Sequence, residues 1–232
     1  MAHTASIETF SETTSLRSLA NGAPRKSDAH GIVVRPARIE DCTDIARLFL
    51  VSSDGLAAYI WRQFVPAGAP VLEVGRRRYA RDGVDFSYRN CLVAEAAGRV
   101  VAMMHSYPMR PRGEAVAPSA DDGNGAGEER PDPVLRPYAE LEDSGSLYVA
   151  GLAVDPVHRG RGLGRRLMAE ARARAVRLGL PRVSLICFER NERAMQLYRR
   201  LGFVEIDRRP VVPHPCLEHR DGDALLLVRG LD

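Results

Sequence analysis

Among the 232 residues no apolar run is long enough to span a bilayer, and the first thirty, rich in Ser, Thr and Ala, lack the apolar core of a secretory leader. A cytoplasmic protein without a membrane partner is therefore expected. Cysteine is scarce. Cys42, Cys91, Cys187 and Cys216 are scattered with no C-x-x-C pair, which reads as free thiols in a reducing compartment. Metal-binding spacing is equally thin: only His214, Cys216 and His219 fall close together, and three ligands in a Pro-containing loop make a poor zinc site, so no metal is expected. A net charge of +3 is too small for a general nucleic-acid binder. The arginine-rich stretches also lack an aromatic platform, which argues against a nucleic-acid partner. No internal repeat is visible.

What is present is an ordinary globular composition, 45% hydrophobic and 27% charged, in a chain long enough for one well-packed domain with decorations. Residues 1–30 read as a disordered N-terminal extension, since Asn21-Gly22, Pro24 and few large apolar groups leave little to bury. One domain is expected over 31–230. Ile32 to Val34 reads as a first strand, and the apolar spacing at Ile45, Leu48 and Phe49 as a helix over 41–51. Helical pieces follow at 56–64 and 71–80, then strands at 91–96 and 99–106 joined by Ala97-Gly98. Ser146 to Val154 is almost continuously apolar, as in a central strand covered on both faces. After it come a helix over 162–178, a strand over 183–187, a helix over 190–201 closed by Gly202, and strands at 203–206 and 224–228.

The segment from Tyr107 to Gly145 stands apart. It holds six of the fifteen prolines, a Gly-rich tip, and nine acidic residues against four arginines. A structureless loop of that length is uncommon inside a compact domain, so it reads as a disordered insertion or a cover over a site.

Chemistry concentrates in Val154-Asp155-Pro156-Val157-His158-Arg159-Gly160-Arg161-Gly162-Leu163-Gly164-Arg165. A buried strand ends, three closely spaced glycines turn the chain, and a helix begins at once. Glycine lets backbone approach a ligand closely. The first amides of a helix have no partner within it, and the helix dipole is positive at that end, so the string builds an anion cradle. From Asp155 to Leu180, seven arginines (159, 161, 165, 166, 172, 174 and 177) face Asp155 and Glu170, a local surplus that suits a small polyanion. The last three read as a solvated helix face. A P-loop would need Gly-Lys-Ser/Thr, but Arg165-Arg166 follows Gly164; a dinucleotide fingerprint would need a third glycine where Arg165 or Leu167 stands.

Arg159, Gly162 and Gly164 do make the R-x-x-G-x-G pattern, and Asn191, Ala194, Leu197-Tyr198 and Leu201-Gly202-Phe203 form a second string after a helix and a strand. In these two motifs the chain resembles the GNAT superfamily of N-acetyltransferases, tightly from Leu147 to Phe203 and by pattern from Ile32 to Val228. The resemblance implies an α/β (α+β) fold: a single domain whose mixed central β-sheet is splayed between two strands, with helices on both faces. It implies acetyl-CoA as cosubstrate, its pantetheine arm on Leu152, Ala153 and Val154 and its pyrophosphate on the amides from Arg159 through Gly160, Arg161, Gly162 and Leu163 to Gly164. Asn191 would contact the arm and Ala194 leave room for it. Tyr198 would be the general acid, protonating the leaving thiolate.

The activity so implied is acetyl transfer to a primary amine, of a small molecule or a protein, by direct attack in a ternary complex. Each motif also has a plainer reading: Asn191 as a helix N-cap, Tyr198 as a core aromatic. The alternative function is a CoA-binding sensor or regulatory module without turnover. The central strand carries no acidic residue to act as general base; Glu142, Asp143, Glu95 and His105 are candidates by proximity in this coarse reading, each more readily a surface or structural residue, and none is committed to catalysis. A homodimer is compatible with this reading.

Overall fold

The computed structural model describes residues 31–65, 69–110 and 132–231. The expected disordered extension and the Gly-rich tip of the 107–145 insertion lie outside these residues. Seven strands form one sheet: β1 (Val33–Pro36), β2 (Cys91–Ala96), β3 (Arg99–Pro108), β4 (Leu147–Val154), β5 (Arg182–Phe188), β6 (Val204–Pro210) and β7 (Asp223–Gly230). Their order is β1-β2-β3-β4-β5-β7-β6. Every pairing is antiparallel except β4 with β5, so the sheet is mixed as expected.

Helices cover both faces. On one side α1 (Cys42–Ser52), α2 (Leu56–Arg62) and α3 (Val71–Tyr79) bury Ile45, Leu48, Phe49 and Trp61 against Val93, Met103 and Ala153 of the sheet. On the other, α5 (Leu163–Arg177) and α6 (Glu192–Arg200) bury Leu167, Ala171, Met195 and Tyr198 against Val149, Val183 and Leu185. Strand alternation sorts the faces: in β7, Leu225 and Leu227 join the α5 side while Ala224, Leu226 and Val228 join a third cluster opposite. No helix among the described residues is long and apolar enough to cross a membrane.

Three expectations need correction. The 107–145 segment is not structureless at its ends. Strand β3 runs on through Pro108, and α4 (Arg136–Glu140) packs with Val134 and Leu141 buried beside Phe188 and Leu217. Those few apolar residues supply a burial that the Pro, Gly and acidic content of the segment conceals. Nor is Arg174 on a solvated face: its guanidinium donates to the Ser106 carbonyl at 2.7 Å and to Asn90 Oδ1 at 2.8 Å, tying α5 to the sheet. Strand β6 also extends past its expected end, because pairing with β7 carries the charged run Asp207-Arg208-Arg209 along an exposed edge.

One irregularity shapes the centre of the sheet. Gly151 of β4 pairs with His105 and Val149 with the next residue, Ser106, so Ala150 is an extra residue, a β-bulge. Ala150 and Gly151 then both face α1: Ala150 packs in its cluster, and a Cβ on Gly151 would lie 2.7 Å from Phe49 Cδ2 and 2.9 Å from Ser52 Oγ. Gly151→Ala is expected to destabilise the fold by roughly 1–3 kcal/mol through overpacking against the Phe49 ring, read as a lower denaturation midpoint. An unchanged midpoint would mean that α1 moves aside without cost.

Candidate active site

A bulge bends its strand and raises its twist. Beyond it, β4 leaves β5: the two strands pair only at Leu147 with Val183 and Tyr148 with Ser184. The Ser146 and Ser184 hydroxyls, 2.6 Å apart, tie the strands where they still touch. From there they diverge around a cleft of about 1010 Å³. Along it, the edge of β4 that would have paired with β5 turns its backbone groups to the gap, a ready match for an extended amide-bearing chain.

At one end of the cleft is the glycine string. Gly160 and Gly162 take φ of +77° and +76°, left-handed conformations that favour glycine. The first bond of α5 runs from the Arg166 N–H to the Gly162 carbonyl at 3.0 Å, so the amides just before it have no helical acceptor. Leu163 is buried and offers only its backbone. Gly164 closes the wall, where a Cβ would sit 3.2 Å from Leu197 of α6. Geometry and amide donors together suit a pyrophosphate.

Leu152, Ala153, Val154, Arg159, Gly160, Gly162, Leu163, Gly164, Asn191, Ala194 and Tyr198 all line this cleft. Arg161 does not. It is exposed, and its guanidinium turns back to the Val157 carbonyl at 3.4 Å, because the left-handed glycines on either side swing it outward. Arg165 lines the cleft in its place. The Arg159 side chain also folds back, donating to the Val154 carbonyl at 3.0 Å. The Asn191 amide caps α6, as its plainer reading has it, the oxygen accepting the Ala194 N–H at 3.1 Å, and its nitrogen donates to Asp54 Oδ2 at 2.9 Å, a partner the sequence did not suggest. Only one of its N–H hydrogens is left for a ligand.

Tyr198 is at once a packed aromatic and a cleft residue. Its ring packs on Phe203 with centroids 5.7 Å apart, yet it lines the cleft. Burial, with lesser contributions from Cys187 and Asp54, pushes its hydroxyl well above the usual phenol range, so the proton is held at neutral pH.

None of the four candidates for general base, Glu142, Asp143, Glu95 and His105, lines the cleft. Glu95 pairs with Arg35 at 2.7 Å, Asp143 with Arg182 at 2.8 Å, and Glu142 is exposed. His105 is fully buried between the Asp85 carbonyl, 2.9 Å from Nε2, and the Tyr79 hydroxyl, 3.2 Å from Nδ1. A carbonyl only accepts, so Nε2 carries the hydrogen; burial keeps the ring neutral, which leaves Nδ1 to accept from Tyr79. The wall opposite the cradle instead holds Asp54, Tyr138, Glu218 and His219, which sequence reasoning did not bring together. The available signal was Asp54-Gly55, a turn dipeptide between two helices. His214, Cys216 and His219 make separate contacts: His214 Nδ1 accepts the Cys216 N–H at 3.1 Å, Arg62 reaches the Cys216 sulfur at 3.0 Å, and His219 faces Asp54.

A sheet parted between parallel strands, with an anion cradle at the head of the next helix and a phenol in the gap, is the architecture of an acyl-CoA-dependent acyltransferase. The chain belongs to the acetyltransferase (GNAT) family, whose model matches residues 58–203, more than half its length. With that membership come its reaction, acetyl transfer, and its donor, acetyl-CoA. No protein of curated function matches in sequence. Among solved structures, an acetyltransferase of 20% identity superposes with a TM-score of 0.60, covering 86% of this chain and 100% of that one. An N-acetyltransferase from Staphylococcus aureus Mu50 is 19% identical, with a TM-score of 0.56 and coverage of 85% and 100%. The NatC complex bound to Gag peptide and CoA is 17% identical, with a TM-score of 0.51 and coverage of 87% and 99%. At such identities the likeness is one of fold.

Proposed function

We propose that the protein moves the acetyl group of acetyl-CoA to a primary amine by direct attack in a ternary complex, in the cytoplasm and without membrane or nucleic acid. The observation that carries this reading is the single cleft that holds the glycine cradle at one end and Tyr198 in its wall. The amides around Gly160 to Gly164, with Arg159 and Arg165, hold the pyrophosphate. The open edge of β4 at Leu152 to Val154 takes the pantetheine arm, and Ala194 leaves it space. Tyr198 gives its proton to the departing sulfur. A phenol (pKa about 10) giving a proton to a free thiolate (about 8.5) runs uphill by roughly 2 kcal/mol in water. Burial raises the phenol further, but the same dry cleft also disfavours the thiolate, so the transfer is not made correspondingly harder.

The alternative, a CoA sensor without turnover, is not favoured, since a sensor has no need of a proton donor in the gap. Release of free thiol from acetyl-CoA, followed over a panel of an alkyl diamine, a lysine-containing peptide and a peptide with a free N-terminus, tests the reading; binding without release on any amine would support the sensor. Gly164→Val is expected to weaken acetyl-CoA binding by roughly tenfold or more in calorimetry, because the side chain fills the space between cradle and Leu197. Unchanged affinity in a folded variant would remove the pyrophosphate from the cradle.

A further inference from the structure

The cleft continues past Tyr198 to the turn between α1 and α2, and there the chain does something costly. Asp54 adopts φ of +48°, uncommon for a residue with a side chain, and is 8% exposed. The turn is clamped from outside. The Glu218 N–H donates to the Asp54 carbonyl at 2.9 Å, and Gly55 lies so close to the Cys216 carbonyl that a Cβ there would meet it at 1.9 Å.

How its carboxylate is held sets Asp54 apart from the other buried aspartate. Asp41, 7% exposed, receives two Arg35 hydrogen bonds at 2.7 and 3.0 Å, and the guanidinium offsets its burial. That is a structural carboxylate. Asp54 accepts from the Asn191 amide at 2.9 Å, and among the described residues the one basic side chain within 4 Å of it is His219, with Nε2 3.9 Å from Oδ2. Tyr138 also lines the cleft, and among the described residues its buried hydroxyl has no hydrogen-bond partner. A carboxylate buried in a ligand cleft, fixed by a neutral donor and left without an arginine, is arranged for a proton or a cation from a ligand.

We propose that Asp54 is the general base of the transfer, accepting protons from the acceptor's ammonium group, with Asn191 as the residue that positions it. This rests on the transferase reading above. The acceptor enters as R–NH3⁺ and loses one proton to the Asp54 carboxylate. The freed lone pair attacks the thioester carbon, forming C–N and moving the carbonyl π pair onto oxygen. That pair returns as C–S breaks, and sulfur leaves with the bonding pair and takes the Tyr198 proton. Asp54 gives that first proton to solvent, and the carboxylate so restored takes the second proton of nitrogen as the amide forms. Asp54 then discharges once more to solvent, and solvent refills Tyr198. Ammonium and thioester thus give amide, free thiol and one released proton. Burial, more than any other cause, pushes the Asp54 carboxyl above the usual range, which makes it a better base than an exposed aspartate. The groups that face it are His219, which opposes that rise, Glu218, which adds to it, and Tyr138, Cys187 and Tyr198, which feel its charge.

The test compares Asp54→Asn with wild type in thiol release from acetyl-CoA with the amine panel, from pH 6 to pH 10. At neutral pH the variant is expected to lose roughly a hundredfold or more in turnover, the scale of general-base catalysis. It should recover as the pH approaches the amine's own pKa, where the acceptor arrives already neutral, and acetyl-CoA affinity should hold. A turnover within threefold of wild type, or a loss that is the same at every pH, overturns the assignment. A wild type that releases no thiol with any amine overturns the transferase reading as well. If Asp54→Asn melts below the assay temperature, Asn191→Ser reports instead, because the short serine hydroxyl still caps α6 but replaces the amide NH2 that reaches Asp54. It should show a smaller loss with the same pH recovery, and a wild-type profile overturns the proposal.

Discussion

Tyr198→Phe is expected to lower turnover by roughly tenfold to a thousandfold, with acetyl-CoA affinity and melting temperature hardly changed. The substitution keeps the ring, its contact with Phe203 and its place in the α5 and α6 cluster. It removes one hydroxyl, held protonated by burial, from the wall of the cleft. A sulfur leaving without that proton must depart as thiolate in a dry gap, which is the costly path. The effect stays finite because a thiolate is a tolerable leaving group and water can protonate it later. A tyrosine that only packs predicts the reverse, lower stability and a full rate per folded molecule. Steady-state kinetics and melting curves on one preparation separate the two, and a full-rate, less stable variant would falsify the acid role.

The second large effect is on stability rather than rate, and it belongs to His105. Burial pushes this imidazole down to about 4, from an ordinary value of 6.5, against the smaller opposing pull of the Asp85 carbonyl. Above pH 6.5 the ring is neutral in both folded and unfolded chains and has no effect on pH dependence. Between 6.5 and about 4 the unfolded chain binds a proton that the folded one refuses, so stability falls as the pH falls. The full loss, complete below about pH 4, is roughly 3 kcal/mol. Denaturant unfolding at a series of pH values should show wild type losing stability over this window, with His105→Gln markedly flatter. Parallel curves for the two would show that the acid sensitivity lies elsewhere.

The two cases differ in how far the sequence foretold them. Tyr198 sits in a string of residues adjacent along the chain, on a helix whose periodicity is strong enough to read. His105 shows in sequence only as a polar residue within a strand. Its environment comes from Tyr79 and Asp85, 26 and 20 residues away, so its neutral, buried state has no local signature.

The same division runs through the whole molecule. The cradle was legible because an anion site at a helix head is built from consecutive backbone amides and from glycines whose left-handed φ depends on their own residue type. The strands and long helices were legible because burial on one face imposes a period of two or about 3.6 on neighbouring residues. By itself, then, the sequence determined the order of the strands and long helices, the glycine turn at the head of α5 and the position of Tyr198. The tertiary structure alone decided where β4 parts from β5, since the bulge at Ala150 is a matter of register between strands. It alone turned Arg161 outward, and it alone ordered α4 by burying a handful of apolar residues in a polar segment. It also brought Asn191 onto Asp54, 137 residues earlier in the chain. A hydrogen bond across such a separation imposes no spacing on the residues around either partner, so only the folded chain reveals it.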